Sequence, residues 1–150
     1  MRKMFKKAAV TVLAASMAFG MMAVPAMAED EGKGFSVCII TSTGIDDGSF
    51  NQDCYEGIQT FLETHDDCTV TDIKEADYAQ LVPTVEKSVG DFDVFVLPGF
   101  NFAGIGDIVK NNPDKYFIVV DSTIQDSEGN PVAADNVYTM TFKVFTLSAS

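Results

Sequence analysis

Positive charge is scarce in this 150-residue chain: ten lysines and arginines stand against 22 aspartates and glutamates. An excess of acid on this scale repels phosphate backbones and anionic lipid, so nucleic acid is excluded as a partner. Histidine is scarcer still, with His65 alone, and the three cysteines show no zinc-ligand spacing. Metal binding by Cys/His ligation is thereby excluded. The same shortage removes the Ser-His-Asp and Cys-His arrangements, because His65 lies beside two aspartates at a helix end with no nucleophile paired to it. No pair of carboxylates is spaced for hydrolysis, and no enzymatic activity or cofactor is expected. Internal repeats and low-complexity tracts are also lacking.

What is present begins with an export signal. "MRKMFKK" is basic, "AAVTVLAASMAFGMMAV" is apolar, and "PAMA" puts Ala26 and Ala28 at the −3 and −1 positions of a cleavage site. Residues 1–28 therefore read as a secretory signal peptide, with an extracytoplasmic destination for the rest. No cysteine stands at the cleavage point, so no lipid-modified N-terminus is expected. The remaining 122 residues suit a single domain, 29–150, long enough to bury a core without covalent staples. They carry six lysines and all 22 acids, a net charge of −16. Cys38 lies in an apolar run and reads as a small core residue. Cys54 and Cys68 could bridge a helix to the next strand, which the sequence leaves open.

Apolar runs alternate with helical patterns along that domain. "FSVCIIT" (35–41) is a strand buried on both faces. Phe50, Cys54, Ile58 and Phe61 then form a helical stripe, and Ser49 with Gln52 has the pattern of a capping box. "CTVTDIK" is a second strand and "VPTVEKSVG" a short helix. "FDVFVLP" is a third strand and "FAGIGDIVKNN" a glycine-weakened helix. "KYFIVVDS" is a fourth strand, "TIQDSEGNPVAAD" a loop with a turn at "EGNP", and "NVYTMTF" a fifth strand. This alternation predicts an α/β fold, a doubly wound and mostly parallel sheet with helices on both faces. Ligands bind such sheets beyond the carboxyl ends of the strands. The segments leaving that edge, 41–50, 75–80, 98–102 and 121–124, hold Thr41, Ser42, Asp46, Asp47, Phe50, Asn51, Phe100, Asn101, Asp121 and Ser122.

The loop "TSTGIDDGSFNQ" (41–52) admits several chemistries. Its hydroxyl-rich start resembles the phosphate turn of flavodoxins, which would make the chain an FMN-binding electron carrier. Asp46 and Asp47 follow at once, however, and would confront the phosphate. A calcium loop is a second reading, although the acids miss the 1-3-5 spacing of an EF-hand. For Asp47 and Asp53, solvated acids at a helix N-terminus suffice. The third reading is an uncharged, hydroxyl-rich ligand with a flat face: carboxylates such as Asp46 accept from sugar hydroxyls, Asn51 donates and accepts, and Phe50 offers a stacking surface.

"GIDDGSFNQDCYEGIQTF" resembles the G-I-D-D-x-S-F-N-Q-x-x-x-x-G signature of the basic membrane protein family, the PnrA-like substrate-binding proteins of nucleoside ABC importers. The likeness continues through "FDVFVLPGF", "NNPDKYFIVVDS" and "NVYTMTF". It implies one lobe of a two-lobed, type I periplasmic-binding-protein-like fold with a nucleoside, expected to be a purine one, in the cleft and an ABC transporter permease as partner. By this resemblance Phe50 stacks on the base, Asn51 bonds its edge, Asp121 bonds the base, and Gly99 and Phe100 shape the cleft floor. Phe50 has a competing role as the first core position of its helix, and Asp121 as a turn-capping residue. Thr41 departs from the family, which often carries an aspartate there. The family chain is more than twice as long, so the resemblance implies an N-terminal lobe without its second lobe, and a truncated product without activity is the remaining alternative. A lone lobe with Phe50, Phe100 and Phe102 exposed is expected to self-associate.

Overall fold

The computed structural model describes residues 34–142; the predicted signal peptide lies outside them. Five strands form one parallel sheet: β1 (Ser36–Thr41), β2 (Thr69–Lys74), β3 (Val94–Pro98), β4 (Tyr116–Val120) and β5 (Val137–Met140), in the order β2-β1-β3-β4-β5. β1 is an interior strand between β2 and β3, and its "VCII" core is buried on both faces, as its unbroken apolar run predicts. The registers are parallel throughout, with Val37 beside Val70 and Val94, and Phe117 beside Phe95 and Val137.

Helices α1 (Phe50–Leu62), α2 (Leu81–Ser88) and α3 (Gly106–Asn111) connect the strands. Alternate strand residues point to opposite faces, and the two faces are covered differently. Cys38, Ile40, Phe95, Leu97, Phe117 and Val119 pack against Leu81 and Val85 of α2 and Ile108 and Val109 of α3. On the other face Val37, Ile39 and Val96 meet Ile58 of α1.

The expected glycine-weakened helix is split. Residues Phe100–Ile105 are a 3₁₀ turn and only Gly106–Asn111 is α-helical. Close approach requires Gly106, since a Cβ there would lie 2.5 Å from the Gln125 carbonyl oxygen, which accepts from the Gly106 N–H at 3.0 Å. The β4–β5 connection thus packs on α3 directly, and Ile124, Val132 and Ala134 of it fill the same core. Asp126 builds its turn by accepting from the N–H groups of Glu128 and Asn130 and from Lys110 Nζ at 2.8 Å. Buried Asn136 then anchors the start of β5, its Nδ2 donating to the carbonyls of Val109, Asn112 and Lys115.

Candidate functional site

With β1 beside β3, the chain leaves β1 for α1 on one face and β3 for α3 on the other. This is the point where an open α/β sheet leaves a crevice at its carboxyl edge. The loop after β1 is ordered by its own side chains. Thr41, buried at the strand end, accepts from the Gly44 N–H through its hydroxyl at 3.0 Å. Gly44 has φ 104°, in the left-handed region that favours glycine, and turns the loop outward. A carboxylate at position 41 would make that acceptor charged, so the threonine is a working part of this turn.

Asn51, also buried, donates from Nδ2 to the Thr43 hydroxyl at 2.7 Å, and that hydroxyl donates to Asp47 Oδ2 at 2.9 Å. The other Asp47 oxygen accepts from the N–H groups of Ser49 (3.0 Å) and Gln52 (3.3 Å). This corrects the capping box. Ser49 makes no side-chain cap bond; Asp47 caps α1, and Gln52 Oε1 instead accepts from the Gly48 N–H. The Asp47 carboxylate, one bond longer than a serine hydroxyl and charged, takes the N–H groups that Ser49 would otherwise cap. Partial desolvation pushes the Asp47 carboxyl up, but the bonds from Thr43, Ser49 and Gln52 outweigh it and hold it below its ordinary value.

The remaining sequence-predicted residues divide clearly. Asp46 is exposed at the loop's crest, its Oδ1 beside Gly44 and near the Lys74 side chain. Gly99 follows β3 with φ 109° and donates its N–H to the Val120 carbonyl at 2.8 Å, coupling the β3 and β4 ends. Phe100 is 71% exposed there. Phe102, expected on the open cleft face, is instead 1% exposed, because the 3₁₀ turn swings it into the α2–α3 core. Asp121 ends β4 in the left-handed region at φ 64°, with its N–H bonded to the Met140 carbonyl and its side chain exposed. A non-glycine residue held there is strained, and such positions cluster at functional sites.

Phe50 has an unforeseen neighbour. The Phe142 ring meets it edge-on, with centroids 6.3 Å apart and planes at 74°. The tail of the fifth strand thus reaches the start of α1. Nothing in the spacing linked these two rings; only the strand order brings them together.

Beside the crevice, and distinct from it, α1 and the sheet leave an apolar groove of about 520 Å³, lined by Cys54, Ile58, Phe61, Val96, Ile118 and Met140 among others. The α1 stripe read from the sequence faces this groove, which is why Phe61 is exposed where core burial was expected. Cys54 and Cys68 are both free. Burial, then the charges of Asp53 and Asp47, push the Cys54 thiol up.

Residues 35–146 match the family of PnrA-like ABC transporter substrate-binding proteins. A CD4+ T-cell-stimulating antigen of Listeria innocua is 34% identical over 124 residues, covering 77% of this chain and 32% of the antigen. Among solved structures, an ABC transporter system solute-binding protein from Conexibacter woesei superposes with TM-score 0.55 at 26% identity, over 72% of this chain and 35% of that one. One from Aeropyrum pernix has TM-score 0.61 at 19% identity, over 71% and 28%, and shares the fold. The chain spans about a third of the length of the relatives it matches.

Proposed function

The chain belongs to the PnrA-like ABC transporter substrate-binding family, and from that premise we propose that it is an exported receptor lobe that binds a purine nucleoside for an ABC importer. The observation that carries this reading is the arrangement of the carboxyl edge. Beyond the ends of adjacent strands β1, β3 and β4 lie a pre-ordered amide in the first turn of α1 (Asn51), an exposed aromatic ring (Phe100) and an exposed carboxylate on a strained backbone (Asp121).

A nucleoside asks for these groups. Its base offers a flat face to Phe50 and Phe100 and a hydrogen-bonding edge to Asn51 and Asp121, while its ribose offers hydroxyls to Asp46. Gly99 keeps the floor between β3 and β4 free of a side chain. The work is binding and orientation, with no bond made or broken. The rest of the cleft belongs to parts of the receptor that the chain's one-third coverage of its relatives does not include.

The flavin alternative fits the same strand order but not the same loop. The N–H groups at the start of α1 that a phosphate would need, at Ser49 just before the helix and Gln52 within it, already bond to the Asp47 carboxylate. An FMN phosphate would have to displace that acid.

Isothermal titration with adenosine, guanosine and uridine tests the proposal. Saturable heat is expected for a purine nucleoside, weakened by Asp121→Ala and Asn51→Ala by about tenfold each, the equivalent of ~1.4 kcal/mol for a lost polar contact. No heat with any nucleoside, or affinity unchanged in both variants, contradicts it.

A further inference from the structure

The groups at the carboxyl edge are held in different ways. Asn51 Nδ2 donates to the Thr43 hydroxyl, which is itself bound to Asp47, and the Asp121 N–H donates to the Met140 carbonyl. The Phe50 ring has no polar atom to fix it. It is half-buried and joins neither of the two apolar clusters that fill the faces of the sheet. Such a side chain turns among its staggered rotamers unless a neighbour packs on it.

Among the described residues the aromatic neighbour is Phe142, its centroid 6.3 Å from that of Phe50 and its plane at 74°. Both values suit a favourable edge-to-face pair. β3 and β4 lie between β1 and β5 in the sheet. A contact from the start of α1 to the end of β5 therefore crosses the carboxyl ends of those two strands, where Gly99 and Asp121 stand. Phe142 also follows Met140 by two residues, so the stretch of chain that bears it is the one that holds the Asp121 backbone.

We propose that Phe142 is a positioning residue for the base. It sets the tilt of the Phe50 ring before a ligand arrives, so that the stacking face is presented at the same mouth as Asn51 and Asp121. The inference rests on the nucleoside reading above and adds to it a residue that acts through Phe50.

Two features favour positioning over core packing. Phe142 is 65% exposed, so it adds little buried area to the fold. An edge-to-face pair also depends on the ring quadrupoles, which favour one angle where a merely apolar contact would only fill space. A ring already held in its bound orientation spares the complex an ordering cost.

Isothermal titration of adenosine and guanosine into the parent protein, Phe142→Ala, Phe142→Leu and Phe142→Tyr tests this, with thermal unfolding by far-UV circular dichroism to establish that each folds. Phe142→Ala is expected to weaken purine nucleoside binding about three- to tenfold and to leave the unfolding midpoint close to the parent's. Phe142→Tyr keeps the ring and is expected to retain parent affinity, whereas Phe142→Leu should bind as weakly as Phe142→Ala. In a Phe50→Leu background, Phe142→Ala is expected to have no further effect, because no ring is left to orient. Equal affinity in the parent and Phe142→Ala overturns the proposal. So does full recovery by Phe142→Leu, an undiminished loss in the Phe50→Leu background, or unfolding of Phe142→Ala, which would make the ring part of the core. No binding by the parent protein would reject the nucleoside reading itself, and this inference with it.

Discussion

The two faces of the sheet begin from equally apolar strands and end in different states. Phe117 and Ile118 are neighbours on β4, yet Phe117 is sealed beneath α2, α3 and the β4–β5 connection, whereas Ile118 looks into the open groove beside α1. The difference lies in what crosses each face. α2, α3 and residues 121–136 cover the Phe117 side, and among the described residues α1 alone packs on the other. A strand's hydrophobicity therefore states that it belongs in a sheet, and the connections decide which side becomes core.

That contrast can be tested at adjacent residues. Phe117→Ala is expected to cost about 3–5 kcal/mol in urea denaturation, since it removes a ring stacked on Phe95 and leaves a closed cavity. A loss of about 1 kcal/mol or less would contradict a closed, tightly packed face. Gly106→Ala is next, at about 1–3 kcal/mol, because the added methyl meets the Gln125 carbonyl and pries the connection off α3. Ile118→Ala is expected to cost about 1 kcal/mol or less, as an open groove leaves no sealed void to pay for.

Thiol labelling reads the same difference without mutation. Cys54 lines the groove, whereas Cys38 lies under the covered face with its thiol pushed up to about 12 by burial and then by Asp72. A maleimide should modify Cys54 in the folded protein and leave Cys38 until denaturant is added. Equal rates would contradict the two-face account.

The smallest effect concerns the clasp on the covered face. The hydrogen bond from Lys110, followed by that from the Asn130 backbone, holds the Asp126 carboxyl at about 2 against an ordinary value of 3.8. A folded-state pKa below the unfolded one stabilises the protein above 3.8, and that contribution disappears as pH falls toward 2. Asp126→Asn should therefore flatten the acid limb of the stability curve between those values. An unchanged limb would show that the clasp does not couple to folding.

Much of the architecture was legible in the sequence. The apolar run 35–41 matches the interior strand β1 to within one residue, and Phe50 begins α1 as its place on the stripe predicts. Alternation of strands and helices predicted the parallel sheet, because each pattern is local and its period is fixed by backbone geometry. What failed was non-local or competitive. Ser49 and Asp47 both suit a helix start, and only the turn at Gly44 decides that Asp47 reaches the N–H groups. Phe100 and Phe102 are both aromatic, two residues apart, and the 3₁₀ turn sends one outward and one inward. The Phe142–Phe50 contact needs the strand order, which hydrophobic periodicity does not encode. For the candidate site, the loop segments were legible as a carboxyl edge, whereas the Asn51–Thr43–Asp47 chain that rigidifies it was not.

The most direct test of the account is two-dimensional NMR of the amide resonances during titration with a purine nucleoside. Saturable shifts are expected in residues 41–51, 99–101 and 121–123, at the carboxyl edge of β1, β3 and β4. Shifts confined instead to the groove residues Cys54, Ile58 and Ile118, or no shifts at saturating nucleoside, would contradict it.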